Sequence, residues 1–414
     1  MKKIKMLVIP SWYPNEKDPL WGNYFIKQAE ALNDYIDVSM LYINRIGLKE
    51  LNKYYNEKKT DGFNKTLYNF NFYKKTIINY KSVSLDYAFK KYKKAAYDAY
   101  KKYIQIVGKP DIILVQSILP GGIAAKYIKE KEGIPYIVHA HSEAILTNPI
   151  YQKYVNEIVK YADDYMAVNN NIKEKIEAIR KKECHIIPNF IDCKKFDLSK
   201  EKKTDDFKLV SICNFYKVKS LDVLLKALNI VVNEKNKKNV KLKIVGTGEY
   251  KDFYESICHS LKLNDNVEFM GYVNNDEIPN ILCNSDVLCV SSSFETFCIP
   301  IVEAFASGIP VITTNCTGPL EIVDKSNSVV VPINDINLFA DAIIDVMNNY
   351  KKYNSKEIKK YAYEKYDKST ISKKIIKICE DVINKKKSIK WYFYIICIAF
   401  GYAFWLYISG KLVL

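Results

Sequence analysis

Directly after the apolar run Val287 to Val290, the chain reads Ser293-Phe-Glu-Thr-Phe-Cys-Ile-Pro-Ile-Val-Glu-Ala-Phe-Ala-Ser-Gly-Ile-Pro-Val-Ile312. A short apolar run of this kind is typical of a buried strand. Pro300 suits the first position of a helix, and Gly308, just before Pro310, suits its end. The sequence therefore predicts a strand, a loop and a short helix in succession.

Two carboxylates bracket the predicted loop and the start of this helix. Glu295 lies in the loop, and Glu303 lies eight residues later, about one turn into the helix. Between them, the backbone N–H groups of Phe297, Cys298 and Ile299 lie where the start of a helix can bind an anion. A diphosphate needs N–H donors and sugar hydroxyls need acceptors, so the pattern favours a nucleotide-sugar site. On spacing alone, two solvated surface carboxylates are the alternative.

Apolar strands alternate with amphipathic helices in both halves of the chain, which predicts parallel, doubly wound sheets. In the first half we predict strands at Met6 to Ile9, Val38 to Ile43, Ile112 to Gln116 and Ile137 to His141, and helices at Phe25 to Asn33 and Leu85 to Val107. In the second half we predict strands at Lys208 to Ile212, Lys241 to Val245, Val267 to Met270, Val287 to Val290 and Val311 to Thr313, and helices at Leu221 to Asn229, at Tyr250 to Leu261 and after Pro300.

This pattern defines the expected domains of an α/β protein. We predict two Rossmann-like domains at residues 1–190 and 207–352, a Lys- and Asp-rich linker at 191–206, and closing helices at 353–384. Residues 49–80 are lysine-rich and aromatic without clear periodicity. We interpret them as a loop on the acceptor side, the side that would bind the molecule receiving the sugar.

Composition limits the possible partners. The formal net charge is +16, from 63 Lys and Arg against 47 Asp and Glu, which permits nucleic acid, anionic lipid or nucleotide partners. No basic helix, zinc knuckle or aromatic RNA-binding motif stands out, so nucleic acid is not expected. The 10 cysteines include no C-x-x-C pair and lack metal-ligand spacing, so we expect no metal site and a reducing cytosol.

The end of the chain has a different composition. From Trp391 to Gly410, 20 residues carry no charge, with a lysine cluster before them and Lys411 after them. As a helix, such a segment is about 30 Å long, close to the thickness of a bilayer core. We therefore predict a membrane-anchor helix at residues 389–410, with the body on the cytoplasmic side because the lysines precede the span. The alternative is an apolar helix that packs on the body or lies in the interface.

Three further motifs precede Glu295 in a fixed order. They are Ile186-Ile-Pro-Asn-Phe-Ile-Asp192, Leu242-Lys-Ile-Val-Gly-Thr-Gly248 and Gly271-Tyr-Val273. With the Glu295 and Glu303 pair, which matches an E-x7-E motif, they make residues 2–384 resemble the family 4 retaining glycosyltransferases. The resemblance implies a GT-B fold, in which two Rossmann-like domains face a cleft.

The resemblance also implies roles for the residues of the second domain. Glu303 would hold the ribose hydroxyls, and Glu295 would hold hydroxyls of the transferred sugar near the reacting carbon, as the catalytic candidate. The remaining donor contacts implied are the backbone groups of Phe297 and Cys298, and the glycine turn and nucleobase loop at Gly246, Gly271 and Val273.

The phosphate contacts depart from the family pattern. The family usually has an Arg and a Lys five residues apart after the first strand of this domain, and Lys219 matches the Lys while Asn214 replaces the Arg. Asn can donate hydrogen bonds but carries no charge, so one phosphate contact is in doubt. Lys217 is the candidate that could compensate.

In the first domain the resemblance points to a glycine and a histidine. Gly22 matches the position where a missing side chain lets donor and acceptor approach the backbone. His141 matches the histidine that faces the donor sugar and is the second catalytic candidate, while His139 could share its face of the strand. A turn glycine and a structural histidine are the alternatives.

Together with the residues themselves, the resemblance implies a metal-independent, retaining hexosyltransferase that needs no cofactor beyond its nucleoside diphosphate sugar. The expected acceptor is a glycan or lipid-linked acceptor, in surface polysaccharide synthesis at the cytoplasmic face of the membrane. A non-catalytic subunit that binds a nucleotide-sugar or a partner transferase is the alternative. A nucleotide-sugar epimerase is a third reading.

Overall fold

The computed structural model describes residues 3–15, 22–64, 68–198, 205–386 and 388. The described residues form two compact units. The first contains the chain up to Ala167, the segment Ile172–His185 and the residues from Ser372 onward. The second contains Val168–Asn171 and Ile186–Ile371.

The first unit is built on an eight-stranded sheet. Its strands are β1 (Lys5–Pro10), β2 (Asp37–Gly47), β3 (Gly62–Asn64), β4 (Asn71–Asn79), β5 (Ile112–Gln116), β6 (Tyr136–Ala140), β7 (Asp164–Ala167) and β8 (His185–Ile186). Their spatial order is β3-β4-β2-β1-β5-β6-β7-β8. The pairs from β4 to β7 are parallel, and β3 pairs antiparallel with β4.

The described residues of this half of the chain form the α-helices α1 (Asn23–Asn33), α2 (Leu51–Lys58), α3 (Leu85–Val107), α4 (Gly121–Glu132), α5 (Ala144–Thr147), α6 (Gln152–Tyr161) and α7 (Asn170–Arg180). The predicted bounds of α3 are confirmed at both ends. Ser84 caps its start by accepting a hydrogen bond from the backbone N–H of Tyr87, and its apolar residues recur at helical spacing on the buried face.

The second unit is built on a six-stranded, wholly parallel sheet. Its strands are β9 (Phe207–Ile212), β10 (Val240–Val245), β11 (Val267–Gly271), β12 (Val287–Val290), β13 (Val311–Thr314) and β14 (Ser328–Val331), in the order β11-β10-β9-β12-β13-β14. Its helices are α8 (Leu221–Asn229), α9 (Lys251–Ser260), α10 (Ile278–Cys283), α11 (Ile299–Ser307), α12 (Thr317–Leu320), α13 (Ile336–Asn348) and α14 (Ser355–Tyr366).

The two predominantly parallel sheets confirm the α/β prediction, and burial explains why several of their strands could be predicted from the sequence. All four residues of β12 are buried, and so are those of β13. A strand covered on both faces is mostly apolar, so it appears in the sequence as a nearly continuous apolar run.

The interpretation of residues 49–80 as a loop is wrong. This segment contains α2, β3 and β4, and β4 pairs in parallel with β2 along nine residues. Two lysines in the middle of β4 hid the strand pattern. Lys74 Nζ lies 2.6 Å from a carboxylate oxygen of Glu57 in α2, and Lys75 Nζ lies 3.7 Å from one of Asp61, which follows α2, so acidic residues in this segment neutralise both charges.

The C-terminal predictions are only partly within the described structure. The predicted closing helices at residues 353–384 correspond to α14 and to a helix at residues 368–386. The predicted anchor at residues 389–410 lies outside the described residues. Across the described part of the chain, no helix has both the length and the apolar character needed to cross a bilayer.

Candidate active site

The strand order of the second sheet places its binding site. From β9 the chain adds β10 and β11 on one side, and then returns to add β12, β13 and β14 on the other. The loops after β9 and β12 therefore diverge at the carboxyl edge, and ligands of open α/β sheets bind at such a switch point. Lys219 follows β9 and Glu295 follows β12, so the topology brings both to this edge.

Lys219 and Glu295 form an ion pair at the switch point. Lys219 Nζ lies 2.6 Å from Glu295 Oε1, although the two residues are 76 positions apart in the chain. The side chains are only 18% and 14% exposed, so water screens the pair less than it would at the surface. Burial lowers the pKa of Lys219, but the charge and hydrogen bond of Glu295 act against it and prevail, so this pKa lies above its ordinary value. Lys219 is therefore a cation at neutral pH.

The serines that follow β12 hold the two loops together. Ser291 Oγ donates to the carbonyl oxygen of Lys219 at 2.9 Å, and the Ser293 N–H donates to the carbonyl oxygen of Val218 at 2.8 Å. Ser292 Oγ donates to Glu295 Oε1 at 3.0 Å, so this oxygen accepts two hydrogen bonds. The ion pair is thus fixed at its backbone as well as at its side chains.

The start of α11 has the form of an anion site. Cys298 precedes the helix in a left-handed conformation (φ 79°), and Pro300 occupies the second helical position, one later than predicted. Among the described residues, the backbone N–H groups of Phe297, Cys298 and Ile299 donate to no acceptor. The first N–H groups of a helix lack partners within the helix and attract negative charge. Three N–H donors therefore follow Glu295 directly.

Three cysteines lie close enough to the ion pair to interact with it electrostatically. Burial raises the pKa of Cys213 to about 12, and burial followed by the charge of Glu295 raises that of Cys298 far above its ordinary value. The pKa of the Cys316 thiol is also raised, first by burial. At neutral pH the three thiols stay protonated, so they act as packing groups rather than as nucleophiles.

The predicted glycine turn packs against the loop after β9. The Gly246 N–H donates to the carbonyl oxygen of Gly271 at 2.8 Å, which joins the ends of β10 and β11. Gly246 has φ 133°, and a Cβ there would lie 1.9 Å from the carbonyl oxygen of Cys213. Only glycine fits this position, and its absence of a side chain lets the Asn214 loop lie against β10.

Asn214, Val273 and Glu303 are further residues predicted for the donor site. Asn214 is exposed, and no contact within the described structure joins its side chain to Lys219 or Glu295. Val273 is half-buried and packs against the core of the second unit. Glu303 is half-buried on α11, and its carbonyl oxygen accepts a hydrogen bond from Ser307 Oγ at 3.0 Å.

Gly22 and His141 belong to the first unit. Gly22 has φ 81° and occupies the position before α1. His141 follows β6, and its Nε2 lies 2.8 Å from Gln116 Oε1. An amide oxygen only accepts, so Nε2 carries the proton. The ring of His139 lies 4.1 Å from that of His141, so these two histidines do share a face as expected.

Sequence reasoning missed Ser292 and Gly318. The Gly318 N–H donates to the carbonyl oxygen of Glu295 at 3.1 Å, and a Cβ on Gly318 would lie 2.7 Å from three backbone atoms of the Glu295–Phe297 segment. Gly318 therefore packs directly against the backbone of the Glu295–Phe297 loop, where a larger residue would clash. The Ser291-Ser-Ser293 run after β12 and the Gly-Pro pair after β13 were the available signals.

Comparisons with known proteins agree with this geometry. A family model for glycosyl transferases of group 1 matches residues 194–365, and one for glycosyltransferase family 4 matches residues 60–195. The two matches follow one another along the chain. Together they span residues 60–365, which include His141, Lys219, Glu295 and Glu303 but not Gly22. Residues 60–365 thus match glycosyltransferase family models, which confirms the resemblance to the family 4 glycosyltransferases.

Individual relatives are similar to most or part of the chain. The N-acetyl-alpha-D-glucosaminyl L-malate synthase of Bacillus anthracis is 25% identical over 67% of this chain and 76% of its own length. An Escherichia coli UDP-Gal:alpha-D-GlcNAc-diphosphoundecaprenol alpha-1,3-galactosyltransferase is 26% identical over 55% of this chain and 64% of its own length. For other curated relatives the aligned share of their own length falls to 34%.

Solved structures support the fold. Anabaena HepE in complex with UDP has a TM-score of 0.67 and 16% identity, covering 92% of this chain and 100% of that chain. At this identity the likeness concerns the fold alone, and it agrees with the predicted GT-B architecture of two parallel-sheet units.

We predict that Lys219 and Glu295 are energetically coupled. A double-mutant cycle of Lys219→Met and Glu295→Gln, measured by urea unfolding, should give a coupling free energy of about 1.5 to 3 kcal/mol. The reason is that the variants lose a charge-assisted hydrogen bond between largely buried side chains. The raised pKa of Lys219 means that this contribution is complete below the unfolded lysine pKa of about 10.4 and is lost as the pH rises through the folded value.

The matched control is the pair Lys226 and Asp222 on α8, where Nζ lies 3.0 Å from the carboxylate but the side chains are 44% and 29% exposed. The cycle Lys226→Met and Asp222→Asn should give only about 0.3 to 0.5 kcal/mol. Equal coupling in the two cycles would show that burial adds nothing at the site.

Proposed function

We propose that the protein is a retaining glycosyltransferase that transfers a hexose-type sugar from a nucleoside diphosphate sugar to a glycan or lipid-linked acceptor. The observation that carries this proposal is the Lys219–Glu295 ion pair at the switch point of the second sheet, directly before three backbone N–H groups with no partner among the described residues. A cation and N–H donors suit a diphosphate, and a carboxylate beside them suits the hydroxyls of the attached sugar.

In this mechanism the bond between the sugar C1 and the diphosphate oxygen breaks, and the acceptor hydroxyl oxygen bonds to C1 on the same face while its proton passes to the departing diphosphate. Negative charge grows on the departing diphosphate, where Lys219 and the N–H groups of Phe297 and Cys298 stabilise it. Glu295 orients the transferred sugar through its hydroxyls, and Glu303 holds the ribose. The spacing of the two carboxylates, which resembles that of family 4 retaining enzymes, supports retention.

Metal independence belongs to the same proposal. Lys219 neutralises part of the negative charge on the departing diphosphate, because its raised pKa keeps it a cation at neutral pH. The serine contacts hold this cation's loop in place, so little reorganisation is needed when the charge develops. No further cofactor is required for the transfer.

The choice of donor and acceptor is guided by the relatives. The Anabaena structure contains UDP, and the Escherichia coli relative is named for transfer of galactose from UDP-Gal to a sugar on diphosphoundecaprenol. We extend these to the present chain as a uridine diphosphate sugar donor and a lipid-linked acceptor in surface polysaccharide synthesis.

The second candidate is a non-catalytic subunit that keeps the fold and binds a nucleotide-sugar or a partner transferase. Asn214, exposed where the family usually has an arginine, is the observation that favours it. A third candidate, a nucleotide-sugar epimerase, would isomerise the donor in the absence of acceptor.

The kinetic prediction separates the two carboxylates. Glu303→Ala should raise the Michaelis constant for the donor with little change in kcat, because ribose contacts are equal in the ground and transition states. Glu295→Gln should lower kcat by about 10² to 10³-fold, because its contacts act near the reacting carbon. The measurement is sugar transfer from a panel of UDP-sugars, after a thermal-shift screen has identified the donor.

The control is Glu255→Ala, whose carboxylate lies 3.7 Å from Lys251 and is 43% exposed on α9. It should leave both constants unchanged. Wild-type kinetics in both site variants would refute the assignment of the carboxylates. Donor binding without transfer to any glycan or lipid-linked acceptor would favour the non-catalytic subunit.

Membrane attachment through residues 389–410 is a separate part of the proposed function. The 20 uncharged residues from Trp391 to Gly410 carry Trp or Tyr near both ends, as interfacial segments do, and the cluster of lysines precedes them. These features support attachment to the cytoplasmic face of the membrane.

Deletion of Lys390 to Leu414 tests this attachment. The truncated protein should move from the membrane to the soluble fraction and keep its affinity for UDP, because the described elements of the second unit end before the deleted segment. Membrane fractionation and isothermal titration with UDP are the measurements. A full-length protein that is soluble without detergent, or a truncation that no longer binds UDP, would contradict the proposal.

A further inference from the structure

The first sheet has its own switch point, and a cavity lies there. β1 lies between β2 and β5, so the loops after β1 and β5 diverge at the carboxyl edge. A cavity of about 230 Å³ lies between Trp12, which follows β1, and Leu119, which follows β5. This volume is below the roughly 300 to 1,000 Å³ of pockets that enclose a whole ligand of drug size, so it fits one part of a larger molecule.

Most of the cavity wall is apolar. Besides Trp12 and Leu119, its lining includes Ile77, Leu85, Phe89 and Ile145. Such a surface gains free energy when it contacts an apolar group instead of water. The wall therefore favours the hydrocarbon part of a ligand over a sugar ring with its many hydroxyls.

Two cations also line the cavity. The Arg45 guanidinium lies 5.9 Å from the centre of the Tyr92 ring, and Lys81 Nζ lies 5.3 Å from that of Tyr151. Within the described residues, Arg45 donates to the carbonyl oxygen of Ser11 at 3.4 Å and has no carboxylate partner. An arginine held on an aromatic ring keeps further N–H groups for an anion.

The hydroxyl of Tyr92 has no hydrogen-bond partner among the described residues, although the side chain is buried and lines the cavity. An unmade hydrogen bond of a buried group costs about 1 to 3 kcal/mol, so such groups usually mark a site for water or a ligand. The Arg45 guanidinium lies over the ring of the same residue, so the orphaned hydroxyl and the cation are both associated with Tyr92 in the cavity lining.

No acidic residue appears in the described lining of this cavity. A second cavity of the first unit, of about 300 Å³, shows the contrast, because its lysines 90, 93, 126 and 153 are accompanied by Asp86, Glu130 and Glu157. There Lys126 and Lys153 already pair with those carboxylates. The positive charge at Arg45 and Lys81 is not offset in this way, so it favours an anionic ligand.

We propose that this cavity is the acceptor site and that the acceptor is an amphiphile, with an apolar part against the Leu85 and Leu119 wall and a phosphate group held by Arg45 and Lys81. The assignment of this ligand as the acceptor rests on the proposed glycosyl transfer. Its chemistry, an apolar part and a phosphate group, is inferred from the cavity alone. A lipid phosphate and a lipid diphosphate share this chemistry.

Octyl phosphate, used below its critical micelle concentration, is the probe, and isothermal titration with the full-length protein is the measurement. Octyl phosphate should bind, while octanol and inorganic phosphate at the same concentration should bind at least about tenfold more weakly, because each lacks one half of the recognition. Equal binding of octanol and octyl phosphate would overturn the assignment of the cations.

Two variants locate the binding. Arg45→Gln should weaken octyl phosphate binding by about tenfold or more, through loss of the guanidinium contact with phosphate. Leu85→Glu should have an equal or larger effect, because it places a carboxylate in the wall at the first turn of α3, where an acidic residue suits the helix.

Each variant has a matched control. Lys58→Gln removes a cation that also lies over a tyrosine, Tyr54, at 5.5 Å but outside the cavity. Val83→Glu adds a carboxylate two residues before Leu85, at a side chain that is 66% exposed and outside the lining. Both controls should bind octyl phosphate as the wild type does, and a loss in the controls equal to that in the variants would overturn the site.

Titration of the same proteins with UDP separates this inference from the proposed function. Arg45→Gln and Leu85→Glu should bind UDP normally, since their residues lie in the first unit and the donor residues around Lys219 lie in the second. UDP binding without Arg45-dependent octyl phosphate binding refutes the acceptor cavity and leaves the donor site standing. The reverse result supports the amphiphile site and refutes the choice of a uridine diphosphate sugar as donor.

Discussion

The ion pair between Lys219 and Glu295 is the interaction on which the proposed donor site depends. It connects the loops after β9 and β12, the adjacent strands between which the strand order reverses. The serines after β12 hold the same two loops together through hydrogen bonds to the backbone. A charged pair that is largely buried needs good geometry and further hydrogen bonds to offset the loss of water. Ser292 supplies one of these, so the surrounding loops are held in a single arrangement.

The same topological device occurs in both units. Each sheet is mostly parallel, each has a strand from which the order diverges, and each has a candidate site next to the loops at that point. The two sites differ in chemistry. The second sheet presents a cation, a carboxylate and backbone N–H groups, whereas the first presents an apolar wall with two cations. This difference suits a nucleotide-sugar in one unit and an amphiphile in the other.

Much of the fold could be predicted from the sequence because buried parallel strands are apolar runs, as in β12. The β4 strand could not, because Lys74 and Lys75 interrupt it and are neutralised by partners in a neighbouring segment. For the site, residue types and order identified Lys219 and Glu295 separately. Their direct contact spans 76 positions and depends on β9 lying beside β12, which local periodicity does not encode. The role of Gly318 likewise arises from a close backbone approach.

The central claim is that this ion pair belongs to a retaining, metal-independent donor site. The most direct test is the anomeric configuration of the first transfer product, measured by NMR with EDTA present, for the wild type and for Lys219→Met. The account predicts an α-linked product from an α-linked UDP-sugar, and much slower transfer by the variant because the leaving diphosphate loses its cation. A β-linked product, a strict need for added metal, or equal rates for the two proteins would contradict it.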